Sequence, residues 1–436
     1  MNKIPLNKLD LNLYHETLKN GLNIYMIPNN NVNNVYATYT TAYGSYDSEF
    51  VPIGEKDYIK VPDGIAHFLE HKMFEQEDGV DPFTFFSKNG ADVNAYTSFF
   101  GTTYLFAGTT KFLENLKYML NYVESPYFTD ENVEKEKGII LQELKMHKDN
   151  PYRAGEIKII ENSFVNNPIR IPVIGTEESI KSITKEDLYT CYTTFYNPSN
   201  MILVITGNFD PEETIKEIEK VEDVRDVKSS SKIISKKYDE PDNVYKENDT
   251  LNLSVGTPKV FIGIKLNIEN LLKKYDKNIL LRYLSIYMNI KFGDVSEFQE
   301  RLINEDIITN DIGIDKIYTD KHILYMIYAD TNRANIFIKE VVQILNDKSI
   351  DELDFIRKKK NFLASNISIS DNIYALNEKI INEYLLNNKI ITDCYQIYNK
   401  LNYDELSAII NSLDFSNISK LIIKDWKKIL YLLKLY

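Results

Sequence analysis

Two histidines and a glutamate lie within one short segment of the chain, His67-Phe68-Leu69-Glu70-His71. Histidines that are four positions apart share one face of a helix, so His67 and His71 could bind the same metal ion. Glu70 would then lie beside that ion without having to bind it. Only 5 of the 436 residues are histidine, and this spacing predicts a metal site with a neighbouring carboxylate.

A zinc site that hydrolyses its substrate needs three protein ligands and one open position for water. Acidic residues are too abundant to identify the third ligand by type alone, but spacing is more selective. Glu136 and Glu143 are seven positions apart in a predicted helix over residues 130–147, and two helical turns place both on one face. That face would point inward if this helix packs against the helix that carries the histidines.

The elements that must position these residues can be predicted from local patterns. Asp63 is the candidate N-cap of the histidine helix. Residues 90–107 predict one long strand or a hairpin. Apolar spacing predicts a helix over Phe112–Val123, and an apolar run predicts a strand over Met201–Gly207.

Several segments together resemble a known family. The chain has the pattern His-x-x-Glu-His, and some seventy residues later a glutamate that has a second glutamate seven positions before it. This arrangement is similar to the motif of the inverzincins. These are the pitrilysin/insulinase-type zinc peptidases, and the half-length bacterial-type members and the beta subunit of mitochondrial processing peptidase look most like this chain. Further matches to the landmarks of that family are Leu18–Leu22, Gly90–Thr97, Ile174–Ile180 and Phe195–Met201.

The resemblance implies a role for each residue that matches the motif. His67, His71 and Glu143 would be the ligands of a Zn²⁺ cofactor, and Glu70 would be the general base. Glu136 would assist catalysis as a carboxylate that orients a ligand histidine. In the family an extended substrate pairs with the strand that contains Asn94, Ala95 and Tyr96, which are therefore the implied substrate-binding residues.

Each assignment has a plainer alternative. The histidine segment could be a helix with incidental histidines, and Glu143 could be a surface glutamate. Glu136 could be an ordinary charge on a helix face. His147 lies four residues after Glu143 but is interpreted as an exposed histidine at a helix end.

The predicted fold is α+β, with two homologous halves that each consist of a sheet covered by helices and together form half of a clamshell. The zinc-bearing peptidase domain is predicted over residues 1–228. A polar segment over 229–250 is predicted to be a linker. Residues 251–436 would form the homologous inactive domain, since their only histidine is His322.

In the family, the inactive half commonly supplies an arginine and a tyrosine seven residues apart, which bind substrate. The second half of this chain has no such pair. Its arginines are Arg282, Arg301, Arg333 and Arg357, and the residues seven positions later are Asn289, Ile308, Glu340 and Ala364. The resemblance therefore implies a heterodimer with a paralogous subunit that supplies the pair, with a homodimer as the alternative.

Composition narrows the remaining possibilities. A formal net charge of −13 argues against a nucleic-acid partner. The sequence contains no run of about 18 apolar residues, so no membrane span is predicted. The first residues lack a signal-peptide pattern, and the two cysteines read as buried thiols of a cytoplasmic protein.

The sequence as a whole predicts a zinc endopeptidase that cleaves peptides, with a precursor or modified peptide as one candidate substrate. The alternative is a non-catalytic scaffold or binding subunit of the same fold.

Overall fold

The computed structural model of the protein describes residues 1–6, 9–225 and 233–425. In these residues the β-strands are β1 Asn2–Leu6, β2 Leu11–Thr17, β3 Asn23–Pro28, β4 Val35–Thr41, β5 Glu49–Val51, β6 Ile59–Lys60, β7 Ala91–Thr97, β8 Thr102–Gly108, β9 Met201–Gly207, β10 Ile234–Ser235, β11 Asn248–Asn252, β12 Lys259–Asn267, β13 Gly313–Tyr318, β14 His322–Asp330 and β15 Ile418–Lys424. The α-helices are α1 Ile65–Lys72, α2 Pro82–Lys88, α3 Phe112–Val123, α4 Asp130–Asp149, α5 Pro151–Ser163, α6 Glu177–Ser182, α7 Lys185–Phe195, α8 Pro211–Arg225, α9 Glu269–Leu272, α10 Lys277–Phe292, α11 Glu297–Asn304, α12 Ala334–Asn346, α13 Glu352–Ser368, α14 Ile373–Asn387, α15 Cys394–Lys400 and α16 Tyr403–Ser412.

The first of two compact units comprises the described residues within 1–144, 171–237 and 365–394. Its main sheet has seven strands in the order β1-β2-β3-β9-β4-β8-β7. Alternate residues of β9 enter two different apolar clusters, because successive side chains of a strand point to opposite faces. Leu203 and Ile205 pack in the cluster that includes α1 and α3, whereas Ile202 and Val204 pack in the cluster that includes α14. Helices therefore cover both faces, and β7 is an edge strand.

The second unit comprises the described residues within 145–170, 238–364 and 395–436. Its sheet has the strand order β11-β15-β12-β14-β13. Only the β11–β15 pair is parallel in this sheet. The helix α5 packs on strands β12 and β15.

The two sheets share one topology. In each, the five strands that correspond lie in the order first, fifth, second, fourth, third along the chain, since β3-β9-β4-β8-β7 matches β11-β15-β12-β14-β13. The first and fifth strands are parallel in both, and the other neighbours are antiparallel. The predicted α+β class, with two halves that each combine a mixed sheet with helices, is confirmed.

The compact units differ from the predicted continuous division of the chain. Residues 145–170, which contain α5, group with the second sheet, and residues 365–394, which contain α14, group with the first. The helix α14 contacts β4 and β9, the counterparts of β12 and β15, which α5 contacts. Each unit thus includes one helix that comes from the other part of the sequence.

The predicted linker over 229–250 is only partly described, since residues 229–232 lie outside the described residues. Its later part is well packed. The Glu240 side chain is 6% exposed, accepts hydrogen bonds from the backbone N–H groups of residues 165–167 and forms an ion pair with the buried Lys265. Residues near 240 therefore belong to the core of the second unit.

Two smaller expectations can be compared with the structure. Cys191 and Cys394 are both free and buried, as predicted. Among the residues that the structure describes, no helix has the length and apolar character that crossing a membrane requires.

Candidate metal centre

The helix α1 presents its two histidines on the side away from its apolar residues. Ile65, Phe68 and Leu69 of this helix are at most 2% exposed and belong to the core of the first unit. The side chains of His67 and His71 are 12% and 25% exposed, and their rings lie 4.6 Å apart between centroids. The amphipathic pattern of α1 thus directs both rings towards one site.

The helix begins differently from the prediction. Gly64, not Asp63, is the N-cap, with φ of 88° and no capping side-chain hydrogen bond. A Cβ atom at Gly64 would lie 2.4 Å from the carbonyl oxygen of Ile174, so close packing and the left-handed backbone both require glycine here. The prediction of an Asp63 cap is wrong because that residue contributes its backbone carbonyl instead, which accepts a hydrogen bond from Ser179 Oγ at 2.7 Å.

Glu143 on α4 joins the two histidines. One of its carboxylate oxygens lies 3.7 Å from His67 Nε2 and the other 3.5 Å from His71 Nε2. One ligand atom from each of the three residues can be chosen so that all lie within 4.8 Å of one another. Ligand atoms at about 2.05 Å from a tetrahedral zinc ion would be about 3.3 Å apart, so two imidazoles and a carboxylate at these separations suit zinc in type and spacing.

This cluster stands alone in the part of the chain that the structure describes. No other group of three histidine, cysteine or acidic side chains in residues 1–6, 9–225 and 233–425 meets the same distance criterion. His322, which received no predicted role, is 1% exposed and bonds through Nε2 to Asp242 at 2.8 Å.

Glu136 is one of the carboxylates that interact with the His71 ring. Its Oε1 lies 3.0 Å from His71 Nδ1, so Nδ1–H donates to Glu136 and the Nε2 lone pair is left for a metal. Burial opposes protonation of His71, but this hydrogen bond and the charges of Glu70, Glu136 and Glu143 outweigh it and raise the pKa of His71. The same carboxylates would stabilise positive charge at the site, whether proton or metal.

We expect Glu136→Gln to lower the affinity of the chain for zinc about 10- to 100-fold, because the substitution removes the charge that supports His71 while nearly preserving the shape. Titration with a competing zinc chelator measures this change. Glu134→Gln is the matched control, since Glu134 lies on the same helix with its side chain 69% exposed. Equal zinc affinities for the two variants would contradict the role of Glu136.

Glu70 lies almost fully buried beside the donors. It is 7% exposed, and its Oε2 accepts a hydrogen bond of 2.6 Å from the Thr97 hydroxyl. Burial raises the pKa of Glu70 above its ordinary value, more than the Thr97 hydrogen bond and the charge of His71 lower it. A carboxyl group with a raised pKa suits proton transfer near neutral pH.

Sequence reasoning missed Thr97. It ends β7, the strand that was predicted to bind substrate, and strand alternation puts Thr97 on the same face as Ala95 and opposite Tyr96. That alternation, together with a hydroxyl at the end of the strand, is the signal that could have identified a partner for Glu70.

The three residues predicted to bind substrate all lie on β7, at the edge of the sheet. Asn94 is exposed and Ala95 is partly exposed, and Asn94 Oδ1 accepts a hydrogen bond from the Ala95 N–H at 2.9 Å. The Tyr96 hydroxyl instead donates to Glu378 of α14 at 2.6 Å. The side chain of Tyr96 is therefore on the sheet face opposite Glu70, and only its backbone lies along the edge.

Residues 54–177 match the family model of insulinase, peptidase family M16, and residues 182–361 match that of the peptidase M16 inactive domain. Zinc protease YmfH of Bacillus subtilis, whose function is uncharacterised, is 42% identical over 318 residues, which is 72% of each chain. The chain belongs to peptidase family M16. An Arabidopsis thaliana M16 relative named as mitochondrial-processing peptidase subunit beta is 27% identical over 36% of this chain and 30% of that one.

The M16 fold extends over nearly the whole chain. A crystal structure from Alicyclobacillus acidocaldarius, described as an M16-like peptidase, has a TM-score of 0.89 and 29% identity over 96% of this chain and 99% of that one. A protease from Helicobacter pylori has a TM-score of 0.79 at 18% identity over 94% and 99% of the two chains, which shows the M16 fold alone. The predicted membership of the pitrilysin/insulinase-type family is confirmed.

Proposed function

We propose that the chain is a zinc-dependent endopeptidase. The observation that carries the proposal is that His67, His71 and Glu143 converge beside the buried carboxylate of Glu70. That carboxylate accepts a hydrogen bond from Thr97, the last residue of the edge strand β7. Relatives named as zinc proteases support the choice of metal and of reaction class.

The three donors would hold the metal in distinct ways. His67 and His71 would bind through neutral Nε2 atoms, and Glu136 would keep His71 in the required tautomer. Glu143 would supply the negative charge. When bound, zinc would supply a Lewis acid and lower the pKa of water to near 7.

Glu70 would move the proton. Its carboxylate would take a proton from the attacking water and later deliver it to the nitrogen of the leaving amine. The Thr97 hydroxyl donates to Oε2, so it would hold the carboxylate in one orientation and leave Oε1 for the transfer. The raised pKa of Glu70 would bring its basicity closer to what this exchange needs.

The strand β7 would hold the peptide. It pairs with β8 on one side, and no other described strand pairs with its second side. An extended peptide added there would be bound through backbone hydrogen bonds, which do not demand a particular sequence. Asn94, Ala95 and the backbone of Tyr96 would offer these contacts.

Cleavage of quenched fluorescent peptides tests the proposal. We expect the purified chain, alone or with its partner subunit, to cleave them, to lose the activity on treatment with a zinc chelator, and to regain it on addition of zinc but not of magnesium. Mass spectrometry of the products should show internal cleavage. Activity that survives complete removal of metal would overturn the zinc mechanism.

We further propose that the active form is a cytoplasmic heterodimer with a paralogous subunit, and that a precursor peptide is the substrate. The absence of an Arg/Tyr pair with a spacing of seven after residue 250 supports the heterodimer. Co-expression with a half-length paralogue that carries this pair should raise kcat/KM, and full activity of the isolated monomer would refute the need for a partner. A scaffold role would give zinc binding without cleavage in either preparation.

A further inference from the structure

A cleft of about 530 Å³ opens on one face of the sheet in the second unit. It lies between the first turns of α5 and the strands β12, β13 and β14, all of which belong to that unit. Its volume is in the range of pockets that hold small ligands, about 300–1,000 Å³, so it has room for a long side chain. None of the residues discussed for the metal centre lines it.

Three aromatic rings, Tyr152, Phe261 and Tyr328, line the cleft. Phe261 and Tyr328 are stacked with their centroids 5.2 Å apart and their planes at 21°. Tyr152 meets both rings edge-on, at 6.4 Å and 6.2 Å, and is 40% exposed. Because the face of an aromatic ring carries negative charge density, such a surface attracts a cation that is partly removed from water.

Two glycines hold these rings in place. A Cβ atom on Gly313 would lie 2.1 Å from the Tyr328 ring, and one on Gly155 would lie 2.2 Å from the Phe261 ring. Each ring therefore rests directly on backbone that any other residue would separate from it. The aromatic surface is formed before a ligand arrives, which lowers the entropic cost of binding.

The charges that line the cleft are mainly acidic. The lining contains three carboxylates, Glu156, Asp311 and Asp315, and one guanidinium, Arg153, which pairs with Glu156 at 2.9 Å. Asp315 accepts a hydrogen bond from the Tyr328 hydroxyl at 3.1 Å. Two carboxylates on or beside β13 thus remain without a cationic side chain from the lining.

The carboxylates of Asp311 and Asp315 can each accept further hydrogen bonds from a ligand. Asp311 accepts a hydrogen bond from Gln299 Nε2 at 3.0 Å, and both Asp311 and Asp315 are exposed. A carboxylate can accept about four hydrogen bonds. Cationic N–H groups that enter the cleft would find acceptors at its rim.

A lysine of the chain itself shows the same chemistry beside the cleft. Lys259 Nζ lies 4.1 Å from the centroid of the Tyr152 ring and binds the Asp330 carboxylate at 2.7 Å. One cation of the chain is therefore already held between an aromatic ring and a carboxylate at this end of the sheet.

We propose that the cleft binds an arginine side chain of a polypeptide, with the guanidinium against the Tyr152 and Tyr328 rings that line the cleft and its N–H groups directed at Asp311 and Asp315. Arginine fits better than lysine because its planar group stacks on a ring and donates to carboxylates at the same time. The proposal is independent of peptide cleavage, since it concerns binding alone.

The test compares two fluorescein-labelled decapeptides that differ only in one central residue, arginine or its neutral isostere citrulline. Fluorescence anisotropy measures their Kd values for the full chain with Glu70→Gln, which keeps the peptides intact. We expect the arginine peptide to bind about tenfold more tightly. In Asp311→Asn/Asp315→Asn that ratio should fall below about twofold, while both asparagine oxygens can still accept from Gln299 and Tyr328.

Two glycine variants provide a second, independent test of the proposal. Gly313→Ala should displace Tyr328 and reduce the ratio, whereas Gly256→Ala should not, since a Cβ atom on Gly256 meets nothing within 4 Å. Circular dichroism and thermal unfolding identify any variant that is misfolded. Equal Kd values for the two peptides on the parent chain, or an undiminished ratio in the folded aspartate double variant, would overturn the proposal.

Discussion

The Glu70→Gln variant should bind zinc as tightly as the parent chain and lose about 10²- to 10⁴-fold in kcat, the contribution of a positioned general base. Glutamine keeps the shape of the side chain and can still accept the hydrogen bond from Thr97. It cannot take a proton from water. Zinc content by atomic emission and cleavage of a quenched peptide, measured on the same preparation, separate the two properties.

Glu77→Gln is the matched control for this experiment, because Glu77 follows α1 by a few residues and is exposed. It should leave both zinc binding and kcat unchanged. If Glu70→Gln cleaved peptides at the rate of the control, Glu70 would not be the base. If the parent chain bound zinc and cleaved no peptide, either alone or when co-expressed with a half-length paralogue, the scaffold function would be favoured instead.

Short-range patterns predicted the elements around the site well. The helix Phe112–Val123 and the strand Met201–Gly207 have the predicted ends, and residues 90–107 form the hairpin of β7 and β8. In these segments the apolar pattern and the buried core favour the same conformation. The start of α1 was missed because it depends on a contact between Gly64 and Ile174, which are far apart in sequence.

The composition of the compact units could not be predicted from local patterns. Neither α5 nor α14 has a local pattern that shows which sheet it covers. Their placement depends on buried partners in other segments, such as Asn377 Oδ1 of α14, which accepts a hydrogen bond from Thr38 at 2.6 Å. Such pairs form only when distant segments meet, so a division at one position in the sequence could not describe the fold.

The site was predictable to the extent that its residues share a helix. His67, Glu70 and His71 are related by helical spacing, as are Glu136 and Glu143 on α4, and the structure brings the two helices together with Glu136 on His71 and Glu143 facing both histidines. Thr97 and Glu378 lie on other elements and were not predicted. Contacts between elements depend on packing geometry that spacing within one element does not contain.

Replacement of Glu143 should cost the chain its metal. In Glu143→Ala only the two imidazoles of His67 and His71 remain of the donor set, and the negative charge that offsets a divalent ion is lost. We expect zinc affinity to fall by more than about 100-fold, beyond the loss of about 10- to 100-fold predicted for the supporting residue Glu136. Peptide cleavage should be lost with the metal.

Thermal unfolding reports this effect without any substrate. Zinc that binds only the folded chain stabilises it by RT ln(1 + [Zn]/Kd), about 2.7 kcal/mol at a free concentration 100 times Kd. Added zinc should therefore raise the Tm of the parent chain and of Glu134→Gln but not that of Glu143→Ala. An equal rise in Tm for Glu143→Ala would mean that the third donor lies elsewhere. Because Glu70→Gln keeps all three donors, its Tm should still respond to zinc even though its kcat is about 10²- to 10⁴-fold lower.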